Sequence, residues 1–142
     1  MPHEDALAAV PLFSQLSRKD LSRLGKAVVE RSYKKGETIV KEGEQAVAFF
    51  IIASGKVEVS GTRAKKEQKI NDLGPGQVFG EMALLDGMPR AATIKATEPT
   101  TCLVLSRWDF VAELRTNPHI AVGMLPILSR RLREADEKLY QM

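Results

Sequence analysis

Apolar positions change their period twice along the chain. Near the start, Ala6, Leu7, Ala8, Ala9 and Val10 form a helical run that stops at Pro11. Leu16, Leu21 and Leu24 then predict a short amphipathic helix ending near Gly25. Ser17 and Asp20 suit its start, the hydroxyl capping and the carboxylate answering from the first turn. From Val28 to Ser106 the texture becomes short runs rich in Val, Ile, Phe and Thr: 28–33, 38–41, 48–54, 56–60, 69–73, 91–97 and 101–106. Glycines 36, 43, 55, 61, 74 and 76 mark the turns between them. Strands at such regular spacing predict a sandwich or barrel rather than alternating strand–helix units. Gly61–Lys66 is expected to be an exposed hairpin loop.

The helical period returns after Ser106. Ser106 and Asp109 form a second helix-start pair ahead of Trp108, Phe110, Val111 and Leu114. Asn117-Pro118 opens a long last helix, with Asn as the cap and Pro in the first turn. Pro126 removes a backbone donor and is expected to kink or divide that helix. A stripe of Ala121, Leu125, Leu128, Leu132, Ala135 and Leu139 runs along it at three- and four-residue spacing.

The 142 residues suit one domain, divided as N-terminal helices (1–27), a β-roll (28–106) and C-terminal helices (107–142). Hydrophobic residues at 44% and charged residues at 27% are ordinary for a soluble domain. The net charge of +3 permits an anionic ligand without indicating nucleic acid. Cys102, the one cysteine, lies in an apolar run and reads as a buried thiol, which excludes an internal disulfide and any multi-cysteine metal site. Only His3 and His119 exist, too few for the ligand cluster of a metal enzyme on such a barrel. No membrane span and no signal peptide are evident, so a cytoplasmic location is expected.

One segment, Phe79–Thr93, departs from strand–turn texture. Glu81 to Leu85 are helix formers, and Gly87 suits a left-handed stop. So short a helix needs packing or a ligand to exist. A helix start offers unpaired N–H groups, and Arg90 adds a planar donor fork matched to two phosphate oxygens. The small Ala91 and Ala92 let backbone amides approach an anion. A phosphate receptor gains nothing from a carboxylate, so Glu81 implies that the ligand also carries hydroxyl donors. Phosphate plus sugar hydroxyl describes a nucleotide. The residues alone leave open a plainer alternative, a surface turn with an exposed Glu81–Arg90 ion pair.

Phe-Gly-Glu-Met-Ala-Leu-Leu at 79–85 and Pro-Arg-Ala-Ala-Thr at 89–93 resemble the phosphate-binding cassette of cyclic-nucleotide-binding domains. These domains occur in catabolite-activator-type regulators, regulatory subunits of cAMP-dependent protein kinase and cyclic-nucleotide-gated channels. The likeness extends to Pro11-Leu12-Phe13, to the turns Lys35-Gly36-Glu37 and Lys41-Glu42-Gly43-Glu44, and to Ile51–Val57. It implies a mainly β fold, an eight-stranded antiparallel jelly roll (double-stranded β-helix) with N-terminal helices and a long C-terminal helix. It also implies that Arg90 binds the cyclic phosphate with the amides of Ala91 and Ala92. Glu81 would bind the ribose 2′-hydroxyl, and Gly80 would allow close backbone approach. Phe79, Met82, Ala83 and Thr93 complete the expected ligand site.

Ala91 stands where many cGMP-preferring members carry Thr, which favours cAMP as ligand over cGMP. In the catabolite activator, hydroxyl side chains of the long helix contact the adenine, and here Ala135 and Asp136 occupy those places, a departure that puts base recognition by that route in doubt. Arg131 matches a helix arginine that approaches the cassette glutamate; pairing with Glu81 and an exposed position on a solvated face both stay open. The leucine stripe allows packing on its own domain, covering of the base, or a homodimer seam. The resemblance implies a non-catalytic sensor without cofactor, metal, membrane contact or direct nucleic acid binding. Its ligand would be coupled to movement of the C-terminal helix. The alternative is the sensor part of a bacterial transcription regulator whose DNA-binding domain lies elsewhere.

Overall fold

A computed structural model describes residues 3–141. Three short segments open the chain: helix α1 (Glu4–Ala8), a 3-10 turn (Pro11–Phe13) and helix α2 (Arg18–Ala27). Eight strands follow: β1 (Val29–Tyr33), β2 (Thr38–Val40), β3 (Ala48–Ser54), β4 (Val57–Arg63), β5 (Lys66–Leu73), β6 (Val78–Phe79), β7 (Thr93–Ala96) and β8 (Thr100–Ser106). Helix α3 (Glu81–Asp86) interrupts them between β6 and β7, and α4 (Arg107–Thr116) and α5 (His119–Gln141) close the chain. The described residues divide into a helical unit, up to Lys26 and from Ala112 onward, and a β unit, Ala27–Val111.

In the β unit all pairings are antiparallel, in two four-stranded sheets ordered β1-β8-β3-β6 and β2-β7-β4-β5. This is the jelly roll that the resemblance implied. Its core is alternation made solid. Ala48, Phe50 and Ile52 of β3, Cys102 and Val104 of β8, Val57 of β4, Phe79 of β6 and Ile94 of β7 form one buried cluster. Tyr33, Ile39, Val40, Val59 and Leu73 pack against it, half-buried. Burial pushes the Cys102 thiol up to about 11, so it stays protonated and inert.

The strand runs shift in detail. β6 was missed because two residues carry no period. Gly61–Lys66 is not a loop: Gly61, Thr62 and Arg63 pair with Gln68, Glu67 and Lys66, and only Ala64 and Lys65 turn. Both carry positive φ (52° and 66°), as a tight two-residue hairpin requires. Polar residues fill this ladder because β5 is an exposed edge strand, so alternation had nothing to report there.

In the helical unit Ser17 accepts the backbone N–H of Asp20 at 3.1 Å, as expected of a cap. The helix then runs past Gly25 to Ala27, anchored by buried Leu21 and Leu24. Asn117 does not cap α5 with its side chain as the sequence suggested. Its Oδ1 accepts from Arg23 Nη1 at 2.7 Å and its Nδ2 donates to Glu113 at 3.1 Å. α5 is undivided across Pro126. Its buried residues are Ile120, Met124 and Ile127, one step around from the predicted stripe. Leu125, Leu132 and Leu139 of that stripe are each at least 60% exposed, whereas Ala121 and Leu128 are half-buried.

Candidate functional site

The β6–β7 connection is built around two left-handed glycines. Gly80 (φ 81°) and Gly87 (φ 64°) bracket α3, and the Gly87 N–H closes the helix on the Ala83 carbonyl at 3.0 Å. Gly80 is constrained twice. Its backbone lies where side chains are strained, and a Cβ there would collide with the Arg90 guanidinium and press the Ala48 carbonyl at 3.2 Å. The chain then returns through Pro89 and Arg90 alongside residues 43–45. The Arg90 N–H donates to the Glu44 carbonyl at 2.8 Å, and the Gly43 N–H donates to the Arg90 carbonyl at 2.9 Å.

Arg90 is thereby aimed inward. Its Nη2 donates to the Ala48 carbonyl at 2.6 Å. Its guanidinium carbon sits 5.6 Å above the Phe50 ring, within cation–π range. Phe50 in turn stacks on Phe79, with centroids 4.7 Å apart and planes 8° from parallel. Burial lowers the Arg90 pKa, and nearby Glu44 partly opposes that; an arginine remains charged at any physiological pH.

These groups edge a cavity of about 520 Å³, inside the usual ~300–1,000 Å³ of small-molecule sites. Phe79, Gly80, Glu81, Met82 and Ala83 line it, as do Arg90, Ala91 and Ala92. Thr93 stands outside: its hydroxyl accepts the Glu42 N–H at 2.9 Å and ties the β2–β3 turn to β7. Arg131 lies on α5, in the helical unit, while every other candidate belongs to the β unit. The rest of the wall was not foreseen. Val40, Val59, Ile70, Asn71, Leu73 and Ile94 come from β2, β4, β5 and β7. Which residues of these strands face a cavity rather than the core or solvent depends on packing between sheets.

The arrangement offers one end with a half-buried cation, a carboxylate and small residues, and another end that is mostly apolar. It suits an amphiphilic anion carrying hydroxyl donors. Among the described residues no group of three or more His, Cys, Asp or Glu side chains could hold a metal ion. No described helix is long and apolar enough to cross a membrane.

Fold and cavity together define a small-molecule-binding jelly roll of the regulatory kind. The chain belongs to the cyclic nucleotide-binding domain family, whose sequence profile matches residues 30–117. It is 38% identical over 130 residues to a cyclic AMP receptor protein of Thermus thermophilus, covering 91% of this chain and 60% of that one. It is 39% identical over 98 residues to a cAMP-dependent protein kinase regulatory subunit of Mycosarcoma maydis, covering 69% of this chain and 19% of that one. The N-terminal domain of a transcriptional regulator from Streptomyces coelicolor superposes with a TM-score of 0.86 at 29% identity, covering 95% of both chains. The chain thus spans less than two thirds of the length of these two curated relatives.

Proposed function

We propose that this cyclic nucleotide-binding regulatory domain is a cAMP sensor and not a catalyst. Arg90 and the amides of Ala91 and Ala92 take the cyclic phosphate. Glu81 accepts from the ribose 2′-hydroxyl. The observation that carries this reading is the preset guanidinium. Arg90 is held by the Ala48 carbonyl over Phe50, and that bond uses one of its five N–H donors. A group ordered in advance loses little freedom on binding. Preference for cAMP over cGMP rests on Ala91 after the arginine and on relatives named for cAMP.

Calorimetric titration with cAMP, cGMP and 2′-deoxy-cAMP tests the ligand. cAMP is expected to bind tightest, and loss of the 2′-hydroxyl to cost about tenfold, the worth of a hydrogen bond to a charged group. Absence of binding to cAMP at millimolar concentration would overturn the reading.

Ligand binding is proposed to reposition α5 beyond Pro126, where the missing N–H weakens the helix ladder. Hydrogen exchange with and without cAMP should change in residues 127–140; unchanged protection at saturation would refute the coupling. The exposed Leu125, Leu132 and Leu139, with Leu128 and Ala135 between them, keep the seven-residue repeat of a two-stranded seam, so homodimerisation through α5 forms part of the proposal.

The Streptomyces likeness favours a second reading, the sensing part of a transcription regulator. A coding frame that continues past Met142 into a helix-turn-helix would support it.

A further inference from the structure

A buried polar atom without a partner calls for a reason. Among the described residues, one such atom is Nε of Arg107, the first residue of α4. The residue as a whole is half-buried. A methionine or leucine would fill the same space without stranding a donor, so packing does not account for an arginine here.

The far end of the side chain does have a partner. Nη2 donates to the Leu85 carbonyl at 3.3 Å, in the last turn of α3. A helix end leaves such carbonyls unpaired, and a basic side chain is a suitable donor to them. Gly87 makes room for the contact. A Cβ there would lie 3.2 Å from Nε and 3.4 Å from Cδ, so the arginine stem rests against the helix stop.

The backbone of Arg107 is fixed as well, its N–H donating to the Val47 carbonyl at 2.8 Å. The next carbonyl along, that of Ala48, holds the Arg90 guanidinium. Two successive carbonyls at the entry to β3 therefore anchor two arginines, Arg90 in the cavity and Arg107 against the end of α3. β3 is paired on both sides, with β8 and β6, so the anchor is rigid.

α3 needs such a tie, because six residues do not hold a helix alone. Its first turn carries Glu81, Met82 and Ala83, which line the cavity. Leu85 lies one turn on from Glu81, on the same face. A bond at Leu85 thus steadies the turn that presents the carboxylate.

We propose that Arg107 is a positioning residue: through the Leu85 carbonyl it holds α3, and with it Glu81, ready for the 2′-hydroxyl of the ligand. The inference rests on the cyclic-nucleotide reading above. Its test is calorimetric titration of the wild type, Arg107→Met and Arg107→Lys with cAMP and 2′-deoxy-cAMP, together with hydrogen exchange of the unliganded proteins over residues 82–87. The two ligands carry the same phosphate, so loss of a positive charge or of general stability weakens both alike. A loosened Glu81 weakens only the ligand that has the hydroxyl. Arg107→Met is expected to weaken cAMP by about fivefold and 2′-deoxy-cAMP by less than about twofold, with faster exchange across α3. Arg107→Lys keeps a charged donor and should recover part of the loss; it carries the test through the same ratio should Arg107→Met fail to fold. Equal weakening of both ligands, or no weakening with unchanged exchange, would overturn the positioning role while leaving the cyclic-nucleotide assignment standing. A wild type that binds neither ligand, or binds the two alike, would overturn the reading of the site as well.

Discussion

The segment Phe79–Thr93 and helix α5 have opposite characters. In the first, nearly every group is tied. Gly80 is constrained by its φ and by Arg90, Arg90 is bonded through both backbone and side chain, and Thr93 anchors the β2–β3 turn. In the second, only Ile120, Met124 and Ile127 are buried, and the residues after them carry an apolar row facing solvent. A tied segment holds a geometry ready for a ligand. A helix with an exposed half and an apolar row toward solvent is less constrained by packing. If α5 carries the response proposed above, recognition and response call for opposite amounts of local constraint.

The largest effect expected from a single change lies at Gly80. Gly80→Ala forces the Arg90 guanidinium from its place and strains a left-handed backbone, which alone costs about 1–2 kcal/mol. cAMP affinity should fall by at least ~30-fold by calorimetry, as expected if the displaced arginine is the phosphate ligand, and the fold should lose stability as well. Near-normal affinity would erase the distinction between the two regions.

An intermediate effect is expected at Asp20 and should sharpen the contrast, since it belongs to the helical unit. Asp20 is buried, which raises its pKa, but hydrogen bonds from His119 Nε2 (2.8 Å) and with Ser17 outweigh this and hold it below the usual carboxylate value. The folded chain therefore binds fewer protons there than the unfolded chain. The stabilisation is full above the unfolded value near ~3.9 and is lost as pH falls through the lower folded one. Asp20→Ala should cost about 1.5–3 kcal/mol at neutral pH, less at strongly acidic pH, with cAMP affinity unchanged. Denaturant titrations across pH check the first part and calorimetry the second.

The smallest effect on stability is expected on the exposed row of α5. Leu132→Lys should change unfolding free energy by no more than about 0.5 kcal/mol, because Leu132 is 65% exposed. The same variant should abolish self-association measured by sedimentation. A large loss of monomer stability would mean that the row packs within its own chain.

Much of this contrast could be read before any coordinates. The two Ser-x-x-Asp starts are real: Ser106 accepts the Asp109 N–H at 3.0 Å just as Ser17 accepts that of Asp20. Both bonds are local, made between residues three apart, so local sequence determines them. Asn117 looked like the same kind of signal, yet Arg23, 94 positions away, takes its oxygen. Which face of α5 is buried was not legible for a related reason. Two adjacent faces, one starting at Ile120 and the other at Ala121, share nearly the same spacing, and periodicity cannot say which finds a partner. The cassette residues were visible because glycines, a carboxylate and an arginine in one short stretch have few structural uses. The apolar wall and the Ala48 carbonyl that aims Arg90 were not, since main-chain acceptors and cavity-facing valines leave no mark in composition.

The most direct measurement is cAMP binding to Arg90→Ala and Arg90→Lys beside the wild type, by calorimetry on protein whose fold is verified by thermal unfolding. Loss of at least ~30-fold is expected for Ala, with only partial recovery for Lys, whose point charge cannot reproduce the planar fork. Affinities indistinguishable among the three would contradict the account at its centre.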